Sequence, residues 1–157
     1  MKWNNLFMNV AKLYGDHSTC AKIKVGAVIV KNKRIISTGY NGVSSGHEHC
    51  IDIFKKRWEE EHSKEFKTFE DYRQSSIFLE EHAKFSDSNE NHAEANAILF
   101  SKQDLTDCSV YVTYSPCTYC AKLIITSGIK KVYYKYVYGS GSGIETLTKN
   151  GVEVEKI

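Results

Sequence analysis

The chain has 157 residues, 41% of them hydrophobic and 25% charged, which is the ordinary range for a globular protein with one buried core. The net charge of +2 at pH 7 is too small to predict a nucleic-acid partner. No apolar run approaches the roughly 18 residues of a membrane span, and the start has the spacing of an amphipathic helix and not of a signal peptide, so we expect a cytoplasmic protein (host cytoplasm, if the source is viral).

The first part of the chain predicts a helix followed by a β-hairpin. Residues 3–14 carry apolar side chains at the three-and-four spacing of an amphipathic helix. Residues 25–30 and 34–40 are strand-like and are separated by the polar turn Lys-Asn-Lys. The first of these strands is apolar almost throughout, which predicts a central strand covered on both faces.

The segment at about 51–90 is charged and irregular. It contains helical fragments at 53–62 and 71–85 and no clear strand. We interpret it as a variable insertion or lid carried by a single domain that spans residues 1–157, and not as a second domain.

From residue 92 onward, helices and strands alternate. The predicted elements are helix 93–102, strand 109–113, helix 117–127, strand 131–135, helix 143–149 and strand 152–155. Together with the hairpin, this order predicts an α/β domain with three layers (α/β/α) and a central mixed sheet of about five strands. The Gly-Ser-Gly-Ser-Gly run before residue 144 predicts a short flexible loop and only weakly indicates a phosphate cradle, because the P-loop lysine is absent.

Two cysteines at helical spacing indicate a metal site. In a reducing compartment, cysteines are more often metal ligands or free thiols than disulfides. Cys117 and Cys120 would share one face of a helix that starts near Pro116, and the positive end of the helix dipole favours the thiolate that binds metal. His92, also at a predicted helix start after a cap-type run, adds a third ligand.

Three protein ligands favour a catalytic zinc with an open water position, because structural zinc sites use four. Glu94 is better placed to handle the protons of a bound water than to serve as a ligand. The competing interpretation is that the cysteines are free thiols and that His92 is a helix cap. The pattern His-x-Glu followed by Pro-Cys-x-x-Cys is the general signature of zinc-dependent nucleobase deaminases, and it favours the metal.

Longer stretches resemble one enzyme family. KVGAVIVKNKRIISTGYNG, HAEANAILF, VYVTYSPCTYCAKLIITSGIKKVYY and NGVEV, with His49-Cys50 after the glycine-rich loop, are similar in content and order to the cytidine deaminase superfamily, and more closely to the deoxycytidylate deaminases. The insertion matches loosely and is similar to that of the longer phage members. The resemblance implies a cytidine-deaminase-like fold and hydrolytic deamination of dCMP to dUMP and ammonia, which supplies thymidylate synthesis.

The resemblance also assigns roles to individual residues. It implies that His92, Cys117 and Cys120 bind the catalytic zinc and that Glu94 carries protons between water, the ring nitrogen N3 and the leaving amine. Further contacts with the substrate are implied for Asn41 (deoxyribose), the Ala93 amide and Ser115 carbonyl (cytosine edge) and Tyr138 (nucleotide pocket).

A second, structural zinc is implied by the same resemblance. Cys20, Cys50, His82 and Glu90 correspond to the structural zinc ligands of phage-type members, and four ligands would close the site. The competing interpretation is a buried thiol for each cysteine and a solvated helix for His82 and Glu90.

The binding of the 5′-phosphate departs from the family pattern. Phage-type relatives usually carry an arginine where this chain has Gln103, and a glutamine cannot offer a charged fork to phosphate. Either Lys102, Lys22 or Lys24 takes this role, or the substrate differs from plain dCMP.

The family includes hexamers that are activated by dCTP, with magnesium, and inhibited by dTTP. The resemblance therefore implies a homo-oligomer, in which dCTP and dTTP are candidate effectors. One alternative is a deaminase of dCTP or of a 5-substituted dCMP. Another acts on tRNA or other nucleic acid, although such relatives typically read Glu-Pro-Cys-x-Met-Cys where this chain reads Ser-Pro-Cys-Thr-Tyr-Cys. A third alternative is a zinc-stabilised binding module without catalysis, in which Glu94 would have no role.

Cys108 is expected in the core, and His17, His47 and His62 are expected to be exposed.

Overall fold

A computed structural model describes residues 2–157 of the chain. In chain order, the elements are α1 (Lys2–Asp16), β1 (Gly26–Lys31), β2 (Arg34–Tyr40), β3 (Gly42–Val43), α2 (Cys50–Arg57), a π-helix (Trp58–His62), α3 (Phe69–Arg73), α4 (Ser76–Asn89), β4 (Glu90–Asn91), α5 (Ala93–Ser101), β5 (Ser109–Tyr114), α6 (Thr118–Thr126), β6 (Lys131–Tyr136), α7 (Ser142–Lys149) and β7 (Glu153–Lys156). None of the helices within these residues combines the length and the apolar character that crossing a membrane requires.

The elements form two compact units. The first unit contains the chain up to Ser18, Val25–Asn41 and His92–Ile157, and the second contains Thr19–Lys24 and Gly42–Asn91. The insertion predicted at about 51–90 lies within the second unit, and the single domain stays a prediction.

The first unit is built on a five-stranded sheet in the order β2-β1-β5-β6-β7. β1 pairs antiparallel with β2 and β5, whereas β5, β6 and β7 run parallel to one another. Parallel neighbours need crossover helices, and α6 and α7 provide them. The predicted mixed sheet of about five strands is confirmed, and the predicted bounds of its strands and helices differ from the observed ones by at most two residues.

Both faces of this sheet are covered, which explains the apolar first strand. Ala27 and Ile29 of β1 pack with residues of α5, α6 and α7 in one cluster. Val28 and Val30 point to the other face and pack with Phe7 and other residues of α1. This alternation produces the three predicted layers, because successive side chains of a strand point to opposite faces.

The second unit is helical, with a two-stranded antiparallel sheet in which Gly42 pairs with Asn91 and Val43 with Glu90. The prediction of no strand in this segment is therefore wrong at its end. The helical fragment predicted at 71–85 is broken, because Ser75 caps α4 by accepting a hydrogen bond from the Phe78 amide at 3.1 Å.

Candidate functional site

His92 lies at the start of α5, where two cysteine side chains meet its ring. It occupies the N-cap position, as the helix-cap interpretation has it, but its side chain makes no capping hydrogen bond to a backbone amide. Its Nδ1 atom lies 3.4 Å from the Cys117 Sγ atom and 3.3 Å from the Cys120 Sγ atom. The structure therefore brings together three side chains that are separated by up to 28 residues in the sequence.

The two cysteines lie at the start of α6. The helix begins at Thr118 and not at Cys117 as predicted, and Cys117 is its N-cap residue, whose Sγ accepts a hydrogen bond from the Cys120 amide at 3.5 Å. A hydrogen bond with the Cys120 thiol holds the pKa of Cys117 well below its usual value and raises that of Cys120. The pair is thus prepared to present sulfur with negative charge to a cation.

The spacing of the three donor atoms fits a zinc ion. Zinc lies about 2.3 Å from thiolate sulfur and about 2.0 Å from imidazole nitrogen, so a tetrahedral site requires a sulfur-to-nitrogen distance of about 3.5 Å. The observed 3.3 and 3.4 Å are close to that value. We call His92, Cys117 and Cys120 the first centre.

Glu94 lies on the first turn of α5, and its side chain is buried. Burial raises the pKa of this carboxyl group to about 7, and the negative charge of Cys117 acts in the same direction. A carboxyl group with this pKa can hold a proton at neutral pH and can also release it, which is the property that a general acid and base needs.

Tyr119, between the two cysteines, was given no role from the sequence. Its ring lies edge-on to the His92 ring, with 6.5 Å between the ring centres, and 59% of the residue is exposed. Its position inside the Cys-x-x-Cys motif was the one signal in the sequence that it would border the first centre.

Several residues expected to contact the substrate lie in the first unit. Ala93 is the first residue of α5, and Ser115 is buried directly before Pro116. The Ser115 side-chain oxygen accepts a hydrogen bond from the Tyr138 amide at 2.8 Å, so these two residues are neighbours. The Asn41 side-chain oxygen accepts a hydrogen bond from the Val25 amide at 2.7 Å, which ties this residue to the start of β1.

Lys102 lies at the opposite end of α5 from His92. It is exposed and adopts a left-handed conformation with φ of 47°. Ten residues of helical rise, about 15 Å, separate it from His92. The lysine side chain would have to extend back along α5 to reach a nucleotide bound at the first centre.

A second group of four candidate ligands lies within the second unit. The His82 Nε2 atom lies 3.3 Å from the Cys20 Sγ atom and 3.6 Å from the Glu90 Oε2 atom, and Cys20 and Glu90 are also 3.6 Å apart at these atoms. Cys50 contributes the fourth donor, and all four donor atoms lie within 4.8 Å of one another. We call Cys20, Cys50, His82 and Glu90 the second centre.

The burial of the second centre fits a metal better than it fits isolated side chains. The side chains of His82 and Glu90 are 5% and 2% exposed, so the interpretation of a solvated helix is wrong. Burial, together with the charge of Cys20, raises the pKa of Glu90. Its Oε1 atom is buried without a hydrogen-bond partner among residues 2–157. A cation would offset the cost of this buried carboxylate.

The remaining histidines and Cys108 have structural surroundings. Cys108 is fully buried in the core and His17 and His47 are exposed, as predicted. His62 is half-buried and not exposed as predicted, because its Nε2 atom lies 3.1 Å from a carboxylate oxygen of Glu81. The Tyr72 hydroxyl also donates to Glu81, and Arg57 lies 3.4 Å away, so this carboxylate is already neutralised by protein groups.

Comparison with known proteins gives one consistent result. The family model described as the cytidine and deoxycytidylate deaminase zinc-binding region matches residues 1–136. The deoxycytidylate deaminase of enterobacteria phage T4 is 38% identical, over 94% of this chain and 86% of that protein. The ComE operon protein 2 of Bacillus subtilis (strain 168) is 35% identical, over 100% of this chain and 72% of that protein. The crystal structure of the dCMP deaminase from cyanophage S-TIM5 in complex with dCMP and dUMP matches with a TM-score of 0.74 and 31% identity, over 99% and 97% of the two chains.

Proposed function

The chain belongs to the cytidine and deoxycytidylate deaminase family, and from this premise we propose that it is a zinc-dependent dCMP deaminase that produces dUMP and ammonia for thymidylate synthesis. The first centre carries this proposal, because it combines three metal ligands with a buried carboxyl group two residues from one of them. The relatives that are named for this reaction, and the bound dCMP and dUMP in the cyanophage structure, support the same substrate and product.

The proposed chemistry divides between the zinc and Glu94. His92, Cys117 and Cys120 would hold a zinc ion, which would supply a Lewis acid that lowers the pKa of water to about 7. Glu94 takes a proton from the attacking water and protonates N3 of the cytosine ring, which makes C4 electrophilic. After hydroxide has added at C4, Glu94 takes the proton of the new C4 hydroxyl group and passes it to the amine, so that the C4–N bond breaks and ammonia leaves as the uracil carbonyl forms.

The residues around the first centre would orient the base and the sugar. We assign the Ala93 amide and the Ser115 carbonyl to the edge of the cytosine. Ala93 directly follows the ligand His92, and Ser115 lies two residues before the ligand Cys117. Tyr138, whose amide bonds to the Ser115 side chain, would line the nucleotide pocket. Asn41 would contact the deoxyribose.

We expect dCMP to be turned over with a higher kcat/KM than deoxycytidine or dCTP. If Lys102 supplies the positive charge that Gln103 lacks, Lys102→Ala should raise KM for dCMP about tenfold, the worth of one charged hydrogen bond, without changing the kinetics of deoxycytidine. Steady-state assays on the three substrates measure this, with Gln103→Ala as the neighbouring control of small effect. A preference for deoxycytidine would overturn the nucleotide assignment, and equal losses on both substrates would remove Lys102 from phosphate binding.

We also propose that the second centre binds a structural zinc. Its four ligands would close the coordination shell and join the segment 19–24 to α2 and α4 of the second unit. The buried carboxylate of Glu90 is the main support, since a cation compensates it.

We propose that the chain assembles with copies of itself as a hexamer, with dCTP and magnesium as activator and dTTP as inhibitor. Leu99 and Phe100 on α5 support an assembly, because 72% and 79% of these residues are exposed in the single chain. Light scattering should give six times the mass of one chain, and a monomer would contradict this proposal. Addition of each nucleotide to the dCMP assay tests the regulation.

A cytoplasmic location is proposed on the basis of the cysteines. The described cysteines form no disulfide with one another, and four of them belong to the two centres. Thiols that bind metal persist in a reducing compartment.

A further inference from the structure

Gly143, in the second position of α7, lies against the peptide that carries Cys117. A Cβ atom added to Gly143 would lie 1.8 Å from the Pro116 carbonyl oxygen and 2.9 Å from the carbonyl carbon of Cys117. Both are main-chain atoms, so no rotation of a side chain relieves the overlap. The glycine-rich run that predicts only a flexible loop therefore ends in a fixed contact with the first centre.

Gly39 makes a comparable contact on the other half of the site. A Cβ atom at this position of β2 would lie 2.3 Å from the carbonyl oxygen of Ala93 and 2.6 Å from the amide nitrogen of Ala97. Both atoms belong to α5, the helix that begins directly after His92 and carries Glu94. Gly39 thus permits a close approach of β2 to α5, which follows His92, and Gly143 permits a close approach of α7 to the Pro116–Cys117 peptide.

From these contacts we infer that Gly39 and Gly143 are positioning residues for the first centre, which set where His92 and Cys117 lie relative to each other. The inference rests on the metal site of the proposed function and extends it to two residues outside the ligand set. Metal–ligand distances tolerate changes of only about 0.2 Å. Relief of the overlap at Gly143 would move the Pro116–Cys117 peptide, or α7, by about 1 Å, since carbon contacts under 3.0 Å essentially never occur.

Gly143→Ala is expected to speed the loss of zinc from the first centre by about tenfold or more, the range typical of groups that orient metal ligands. The rate is measured by transfer of zinc to a chromogenic chelator at low temperature. The kinetic phase that disappears in Cys117→Ser is the phase of the first centre. Gly39→Ala is expected to speed the same kinetic phase, because it would displace α5 and with it His92.

Gly26→Ala is the matched control. Its added Cβ would lie 1.9 Å from the Ala11 carbonyl oxygen, an overlap of the same size with main-chain oxygen, but between β1 and α1. It should lower the melting temperature by a similar amount without changing the release of zinc. The second centre should release its zinc at the wild-type rate in all three variants.

Wild-type release from Gly143→Ala would overturn the inference, and so would equal acceleration in Gly26→Ala. Unfolding of both Gly39→Ala and Gly143→Ala would also overturn it, because the two contacts would then serve the fold as a whole and not the ligands. The readout is zinc and not turnover. If the wild-type protein binds zinc at the first centre but does not deaminate dCMP, the proposed function is contradicted and the inference about Gly39 and Gly143 is not.

Discussion

Glu94→Gln is expected to keep zinc at the first centre and to lower kcat for dCMP by about a thousandfold, the middle of the range for general acid–base catalysis. Glutamine has nearly the shape of glutamate, but its amide neither accepts nor releases a proton near neutral pH. The three ligands stay in place, and a neutral side chain at this buried position avoids the cost of burying a charge. The measurement combines the absorbance change of dCMP with zinc analysis of the same sample.

The control for Glu94→Gln is the same change at Glu80, an exposed residue of α4 in an ion pair with Lys84. Glu80→Gln should keep both kcat and the zinc content, since surface ion pairs contribute little. Glu94→Asp keeps the carboxyl group but shortens the side chain, so its kcat for dCMP should lie between those of Glu94→Gln and the wild type. Substantial turnover by Glu94→Gln with zinc bound would remove Glu94 from the proton transfers.

The first unit could be predicted from the sequence because its signals are local. The continuous apolar run of β1 indicates a strand covered on both faces, and Ala27 and Ile29 do face one layer while Val28 faces the other. The alternation of strands and helices after residue 92 likewise predicts that β5, β6 and β7 are parallel strands joined by helices. Errors of one or two residues at the ends reflect caps such as Cys117, which belongs to the helix by hydrogen bonding but not by conformation.

The second unit could not be predicted as well, because its contacts are distant in sequence. β3 and β4 have two residues each and are paired across 46 intervening residues, so neither shows a period. His62 was expected in solvent, whereas the carboxylate of Glu81, 19 positions later in the sequence, contacts its ring. The π-helix Trp58–His62 likewise has no signature in the sequence.

The same difference separates the two centres. The first is readable because its motifs, His-x-Glu and Pro-Cys-x-x-Cys, each lie at a helix start where geometry follows from spacing. The second depends on the approach of Cys20 to His82, which are 62 residues apart, and only the resemblance to a family indicated it. Gly39 and Gly143 were missed because close packing of backbones leaves no mark besides the glycine itself.

Cys50→Ser is expected to remove the zinc of the second centre and to lower the melting temperature by about 10 °C. A serine hydroxyl replaces a thiolate ligand, and the remaining buried Glu90 then lacks its cation, a loss of about 3–5 kcal/mol for a buried charge without its partner. Phe54 and Phe78, which flank the His82 ring at 5.4 and 5.3 Å, would then pack against a ring that zinc no longer holds in place. Faster hydrogen exchange in α2 and α4 should accompany the loss of zinc.

Cys108→Ser is the matched control, because Cys50 and Cys108 are both fully buried and the chemical change is the same. Burying a hydroxyl in the core should cost about 1–3 kcal/mol in this variant as well, so stability alone does not separate the two. Zinc content does separate them, with two ions per chain expected in wild type and in Cys108→Ser and one in Cys50→Ser. A chelator should destabilise α2 and α4 in wild type and leave them unaffected in Cys50→Ser. One zinc per chain in fresh wild-type protein, or two in Cys50→Ser, would show that the buried carboxylate of Glu90 is compensated by something other than a metal.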